Sequence, residues 1–408
     1  ALFLNDSMMS SSGMIIIRVF SGDVITVSQV KAFMPMTIRL LIVAFTLGIS
    51  GCAQVSYYTQ AAQGQLRLAN SAKPVDTWLS DPAVSAETKH RLQRAVAIRR
   101  FAVDELSLPD NGSYSKYADI KRPYVMWNVV ATPELSLKPI QWCFPIAGCV
   151  EYKGYYNKEA AHQFARKLRA MGYEVRVSGV PAYSTLGWFN DPLLSSFITY
   201  PEAEVARMLF HELAHQVAYA PGDTQFNEGF ATAVETIGVQ RWLNFTGDEE
   251  TRRNYDQYRK HKRDFLVLLA NHRKRLRVIY ESNISDAEKR VKKTAVMSSL
   301  QQTYNQIKQE RWNGYAGYDN WFNEPLTNAH LALVALYEDL APAFQSLYEH
   351  SGSLPQFYAE VKVLSKYDKA KRHQALAALP LPKRDDPLAL PIESKTNHSN
   401  VSQVEPSD

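Results

Sequence analysis

Residues 209–215 read Leu-Phe-His-Glu-Leu-Ala-His, and residues 227–231 read Asn-Glu-Gly-Phe-Ala. Histidines at i and i+4 stand on one face of a helix, close enough to share one ion. Neutral imidazole is a zinc ligand, and two of them with one carboxylate leave a fourth position for water. His211 and His215 are therefore candidate ligands. Glu212, beside the first, is placed to take a proton from that water and pass it to a leaving amine. Twelve residues separate His215 from Glu228, and Pro221-Gly222 lies between them. Such a dipeptide turns the chain, so a second helix folds back and Glu228 completes a His, His, Glu set. Glu235 stands two turns further along nearly the same face. It is the rival third ligand, and otherwise the group that orients a ligand imidazole through its second nitrogen. One Zn2+ is the expected cofactor.

With 10 His in 408 residues, a chance HExxH arises in roughly one such chain per hundred, so its weight comes from context. Phe210, Leu213 and Ala214 give the motif a buried helical side. The first helix is expected over 201–219, with Pro201 in its first turn. The second is expected to start from Asp223 or Thr224 and run to about Leu243. Upstream, residues 83–105 show helical spacing, 108–123 read as loop, and Tyr124 to Ala131 read as a strand. Lys158 to Met171 reads as a helix stopped at Gly172, followed by a strand from Tyr173 to Val177. A helix between two strands predicts an α/β (α+β) fold with a small mixed sheet. Pro181 to Phe197 mixes small residues, aromatics, Gly187 and Pro192. It reads either as an edge strand that takes up an extended ligand or as a Gly/Pro-rich connection.

Downstream, residues 249–311 are long, helical and basic, most simply a helical hairpin with a charged outer face. Trp312 to Trp321 is a Gly- and aromatic-rich loop. Helices are expected over 327–348 and 354–367. From Pro380 the chain is rich in Pro, Asp, Lys, Ser and Asn, a composition of disorder. A hydrolytic site also needs a donor for a developing oxyanion, supplied as a rule by a later Tyr or His. Tyr315, Tyr318 and His330 are the candidates, and Tyr318 is preferred.

The chain has 46% hydrophobic and 21% charged residues and a net charge of +5. That is an ordinary globular composition, and the modest basic excess sits mainly in the 249–311 stretch, so no nucleic-acid partner is expected. Met36-Thr37-Ile38-Arg39 forms a short positive segment, Leu40 to Ile49 an apolar run, and Ile49-Ser50-Gly51-Cys52 closes it. This has the order of a secretion signal and is too short to span a bilayer. Residues 1–35 read as an upstream extension. Cys143 and Cys149 are expected to bond in an oxidising compartment, with Pro145 and Gly148 favouring the turn. A second metal site is the competing reading, without nearby His partners.

Two resemblances follow from these residues. Ile49-Ser50-Gly51-Cys52 resembles the lipobox of bacterial lipoproteins, which implies cleavage before Cys52 and lipidation of that cysteine. Ala53 rather than Asp after it implies the outer membrane, on the periplasmic side. His211-Glu212-x-x-His215 with Asn227-Glu228-Gly229-Phe230-Ala231 resembles the gluzincin peptidases, and the string with Glu235 is similar to zinc aminopeptidases of the aminopeptidase N type. Those have a longer spacer and a Gly-x-Met-Glu-Asn segment for the substrate amine that this chain lacks. The chain more closely resembles a family of proteobacterial lipoproteins described as aminopeptidases. The likeness spans the lipobox, the cysteine loop, Ser184 to Phe189, the zinc motif and Tyr315 to Leu331. It implies a zincin-like fold and a zinc peptidase, most simply an aminopeptidase, acting on a peptide substrate with Glu212 as general base. The plan is then a signal at 36–52, a metallopeptidase core at 53–248, a helical region at 249–379 and a tail at 380–408. The alternatives are an endopeptidase acting on periplasmic proteins or cell-wall peptides, or a structural, chaperone-like lipoprotein.

Overall fold

The computed structural model describes residues 16–18, 24–26, 55–144, 148–336 and 340–380. The signal segment with Cys52, most of the upstream extension, and the tail beyond Pro380 lie outside the described residues. The chain divides into two units, Ala1–Gln63 and Gly64–Asp408. In the first, Ile16–Arg18 pairs antiparallel with Val24–Thr26. Residues 55–71, a polar Gln- and Ala-rich stretch, are helical. No helix among the described residues is long and apolar enough to cross a membrane.

The second unit is mixed α and β, as its alternating patterns predict. Helix α1 (Ala86–Asp104) starts where Ser85 accepts the Thr88 N–H, and it buries Leu92, Ala95, Ile98 and Phe101. Strand β1 (Met126–Thr132) is the centre of a three-stranded antiparallel sheet between β2 (Lys153–Tyr155) and β3 (Glu174–Val180). Helix α2 (Lys158–Ala170) joins β2 to β3 and covers the sheet with Ala161, Ala165 and Leu168. It ends at Gly172, whose φ of +85° suits a residue without Cβ. A smaller sheet sets Lys116–Ala118 between Lys73–Pro74, antiparallel, and Leu193–Leu194, parallel.

Between β3 and Leu193 the chain is a loop. Leu186 and Gly187 take φ of +58° and +80°, outside strand geometry. The segment 181–197 is therefore the connection and not the edge strand, apart from its last two paired leucines.

Helices α3 (Glu202–Val217) and α4 (Thr224–Thr246) form the centre of the main hydrophobic core. Pro201 sits at the cap of α3, one position before its first turn. Helices α5 (Glu249–Glu281) and α6 (Asp286–Glu310) form the long hairpin, and Ser285 and Glu288 close a reciprocal capping box at its tip. The expected helix over 327–348 is two: α7 (Asn328–Leu336) and α8 (Ala341–Ser351). Pro342 accounts for the division, since a residue with no N–H starts a helix and does not continue one. Helix α9 (Leu354–Ser365) follows, then α10 (Lys369–Ala377), which the sequence pattern did not announce. Phe344, Phe357 and Leu376 return these last helices to the core around α3 and α4, while α5 and α6 enclose a second cluster with Trp312 and Phe322.

Candidate active site

The turn between α3 and α4 is held from three directions. Asn227 grips Ala220 at both backbone atoms, accepting its N–H at 2.7 Å and donating to its carbonyl at 2.9 Å. Asp223 caps α4 by accepting the Phe226 N–H, and its buried carboxylate meets Arg372 Nη1 at 2.5 Å and His373 Nε2 at 2.8 Å, both from α10. The third contact is a disulfide hairpin. Cys143 and Cys149 face each other across Trp142–Phe144 and Gly148–Val150 and are bonded. Gly148 has φ +73°, and a Cβ there would come 2.5 Å from the backbone nitrogen of Gly222. Glu151 then accepts the Thr224 hydroxyl at 2.6 Å, in the first turn of α4. Small residues set how closely α4 is packed. A Cβ on Gly238 would meet the Phe210 ring at 2.6 Å, and one on Gly229 would meet Leu340 Cβ at 2.9 Å.

This packing brings His211, His215 and Glu228 together, with one donor atom of each within 4.8 Å of the others. His211 Nε2 lies 3.2 Å from one Glu228 oxygen, and His215 Nε2 lies 3.8 Å from the other. Donors around a tetrahedral zinc with bonds of about 2.0–2.1 Å stand roughly 3.3 Å apart. The distances bracket that value, and two imidazoles with one carboxylate are a donor set that zinc accepts. Among the described residues no other group of three or more His, Cys, Asp or Glu side chains is so arranged.

Glu235 is placed behind His211. Its Oε2 is 2.9 Å from His211 Nδ1 and 2.9 Å from Arg207 Nη1, and its other oxygen is 3.9 Å from Lys262 Nζ. Arg207 also donates to Glu204 at 2.9 Å. Burial works against ionisation of Glu235, but Arg207 and the His211 hydrogen bond outweigh it and hold the carboxyl far below its usual range. Burial alone would depress His211 too. Hydrogen bonds to Glu228 and Glu235 overcome this and push it up to about 10. Glu228 likewise falls despite burial, through the His211 bond and the neighbouring imidazoles. His215 responds to burial first and drops to about 4. Its Nδ1 is buried with no hydrogen-bond partner among the described residues.

Glu212 makes no hydrogen bond or ion pair among the described residues. Burial raises it to about 7, a rise that His211 opposes and that Glu228 and Asp191 reinforce. Two further residues share its neighbourhood, and no spacing in the sequence pointed to either. Tyr114 is 1% exposed, its hydroxyl has no partner, and its φ is +62°. Burial, then the charges of Glu212 and Asp191, hold that hydroxyl well above its ordinary pKa. Asp191 is 3% exposed and closes the aromatic loop 184–190. Arg207 was legible in principle, since it precedes His211 by one helical turn on the same face.

The later aromatic candidates are placed in the second cluster. Tyr318 lies flat on Phe265, with ring centres 4.0 Å apart and planes 11° apart. Tyr315 stacks on His261 at 4.3 Å. His330 Nδ1 meets the Thr327 hydroxyl at 2.9 Å, and burial lowers this histidine to about 3. None of the three belongs to the His211, His215 and Glu228 group.

The helix pair thus presents two imidazoles, a facing carboxylate and a half-buried carboxyl together. The model of the family described as "Putative aminopeptidase" matches residues 56–376, and the chain belongs to that family. Membership supports a peptidase function. No curated protein and no solved structure matches the chain.

Proposed function

We propose that the chain is a zinc-dependent aminopeptidase whose metal ligands are His211, His215 and Glu228. The observation that carries this reading is the convergence of those three donors beside Glu212, a half-buried carboxyl with no partner of its own among the described residues. A zinc ion held there supplies Lewis acidity toward water and toward the scissile carbonyl. Glu212 takes the proton from the attacking water and delivers it to the departing amine. Glu235 accepts a hydrogen bond from His211 Nδ1, which orients the ring so that Nε2 would be turned to the metal once zinc took the place of its proton. The Tyr114 hydroxyl, kept protonated by burial, donates to the carbonyl oxygen as charge develops on it.

The peptide substrate meets this site on the periplasmic side of a bacterial membrane, with a lipid on Cys52 as the anchor. The Cys143–Cys149 bond supports export, because such bonds persist in oxidising compartments. Metal analysis of the purified full chain tests the reading. One zinc per chain is expected, together with loss of peptide hydrolysis on chelation and recovery when zinc returns. Absence of bound zinc after zinc has been supplied removes the proposal.

A further inference from the structure

Asp191 is a buried carboxylate without a counter-charge. Buried acids are ordinarily paired with a cation or fully hydrogen-bonded. Among the described residues no Lys, Arg or His lies within ion-pair distance of it. One oxygen, Oδ2, has structural work: it accepts the Thr185 N–H at 2.9 Å and faces Gln216 Nε2 at 3.5 Å. The other, Oδ1, is buried and has no donor.

Its position relates it to the reaction centre. Gln216 stands one turn after Glu212 on the same face of α3, so the Asp191 carboxylate lies over the Glu212 side of that helix. Gln216 is itself fixed there by Asn111, which donates to its Oε1 at 2.7 Å. The Tyr114 N–H donates to the Asp191 carbonyl at 2.6 Å, which ties the acid to the residue with the free hydroxyl. The charge of Asp191 acts on Glu212, and both act on Tyr114. A group that would complete this arrangement carries positive charge, donates a hydrogen bond to Oδ1, and sits next to the water-activating carboxyl.

The α-ammonium of a peptide has those properties. We propose that Asp191 binds the free N-terminal ammonium of the substrate through Oδ1. This rests on the peptidase reading above and deepens it. It assigns to one residue the distinction between an aminopeptidase and an endopeptidase, in a chain that lacks the Gly-x-Met-Glu-Asn segment. Binding of the ammonium supplies the missing counter-charge and limits the reach into the site to about one residue. Trp188 and Phe189 of the same loop are exposed.

Asp191→Asn is the informative variant. It keeps an oxygen for the Thr185 N–H and removes the charge. The full chain and the variant are assayed on an aminoacyl peptide and on its N-acetylated counterpart, with zinc content and melting temperature compared. The parent should prefer the free amine. Truncating one partner of a buried charge pair implies a loss of about thirtyfold or more in kcat/KM on the free-amine substrate, mostly through KM. The loss on the acetylated peptide, which carries no ammonium, should be smaller by about tenfold or more, at unchanged zinc content. Equal losses on both substrates, or no loss on either, overturns the assignment. A parent that cleaves both peptides equally also overturns it and leaves the peptidase reading standing. A zinc-loaded parent that cleaves neither removes both.

Discussion

The helix pair α3–α4 and the helical hairpin α5–α6 are built from similar elements, but among the described residues only the first brings two imidazoles and a carboxylate to one point. In the hairpin and the loop that follows it, most charged side chains pair off, although His261 Nδ1 is buried without a partner among the described residues. Trp312 Nε1 and Arg311 both bind Asp264, at 3.0 and 3.1 Å, and Lys308 binds Asp319 at 2.7 Å. His272 Nδ1 meets the Leu268 carbonyl at 2.8 Å, and Tyr304 stacks on Phe322 at 3.9 Å. Between α3 and α4, by contrast, Glu212 has no partner and the second nitrogen of His215 is orphaned. Leaving buried polar atoms unmatched is costly, and in α3–α4 the orphaned nitrogen belongs to an imidazole that converges with His211 and Glu228. The contrast separates a region that shapes the molecule from one that acts on a ligand.

The comparison breaks most sharply at Glu212. Glu212→Gln should lower kcat by about 10²- to 10⁴-fold with bound zinc unchanged, measured by steady-state kinetics beside metal analysis. Because the base acts when deprotonated, kcat/KM of the parent should rise with pH through the Glu212 pKa. Burial puts that pKa near 7 without metal, and a cation in the site moves it lower. The acid limb therefore lies at or below about 7 and disappears in the variant.

Next in size is a contest between two tyrosines. Tyr114→Phe should cost roughly 10²- to 10³-fold in kcat, the range for one oxyanion donor. Tyr318→Phe, in the stacked cluster, should cost less. The reverse ranking would return the role to Tyr318 and erase the boundary between the regions. The smallest effect belongs to Glu235. Glu235→Gln should weaken zinc binding by about 10- to 100-fold, read by competition with a chelator of known affinity, because Gln holds the His211 proton less strongly.

Legibility in the sequence followed sequence distance. The two histidines and Glu212 lie within five residues on one helix, so helical geometry alone relates them. Glu228 needed only one turn more, and Pro221-Gly222 announced it. The sheet was legible from β1, α2 and β3, whose patterns are continuous. Gly229 and Asn227, which make the second string recognisable, position helices and do no chemistry: one admits α8, and the other clamps Ala220. Tyr114 and Asp191 were not legible. They reach Glu212 from loops, and loop geometry depends on contacts far along the chain. Tyr318 rests on residue type and order alone, and its stacking on Phe265 leaves that choice to the kinetic comparison with Tyr114.

The grip of Arg372 and His373 on Asp223 has a consequence in time. Asp223 starts the helix that carries Glu228, yet its partners are made 149 and 150 residues later. At about 5–20 residues per second, synthesis leaves an interval of roughly 7 to 30 seconds in which both motifs exist and the clamp does not. A chain stopped before α10 would hold every residue of the proposed chemistry while lacking the last hold on its second helix. Helix α10 is thus the last hold to be made on α4, and truncation before it should delay assembly of the site rather than alter its parts.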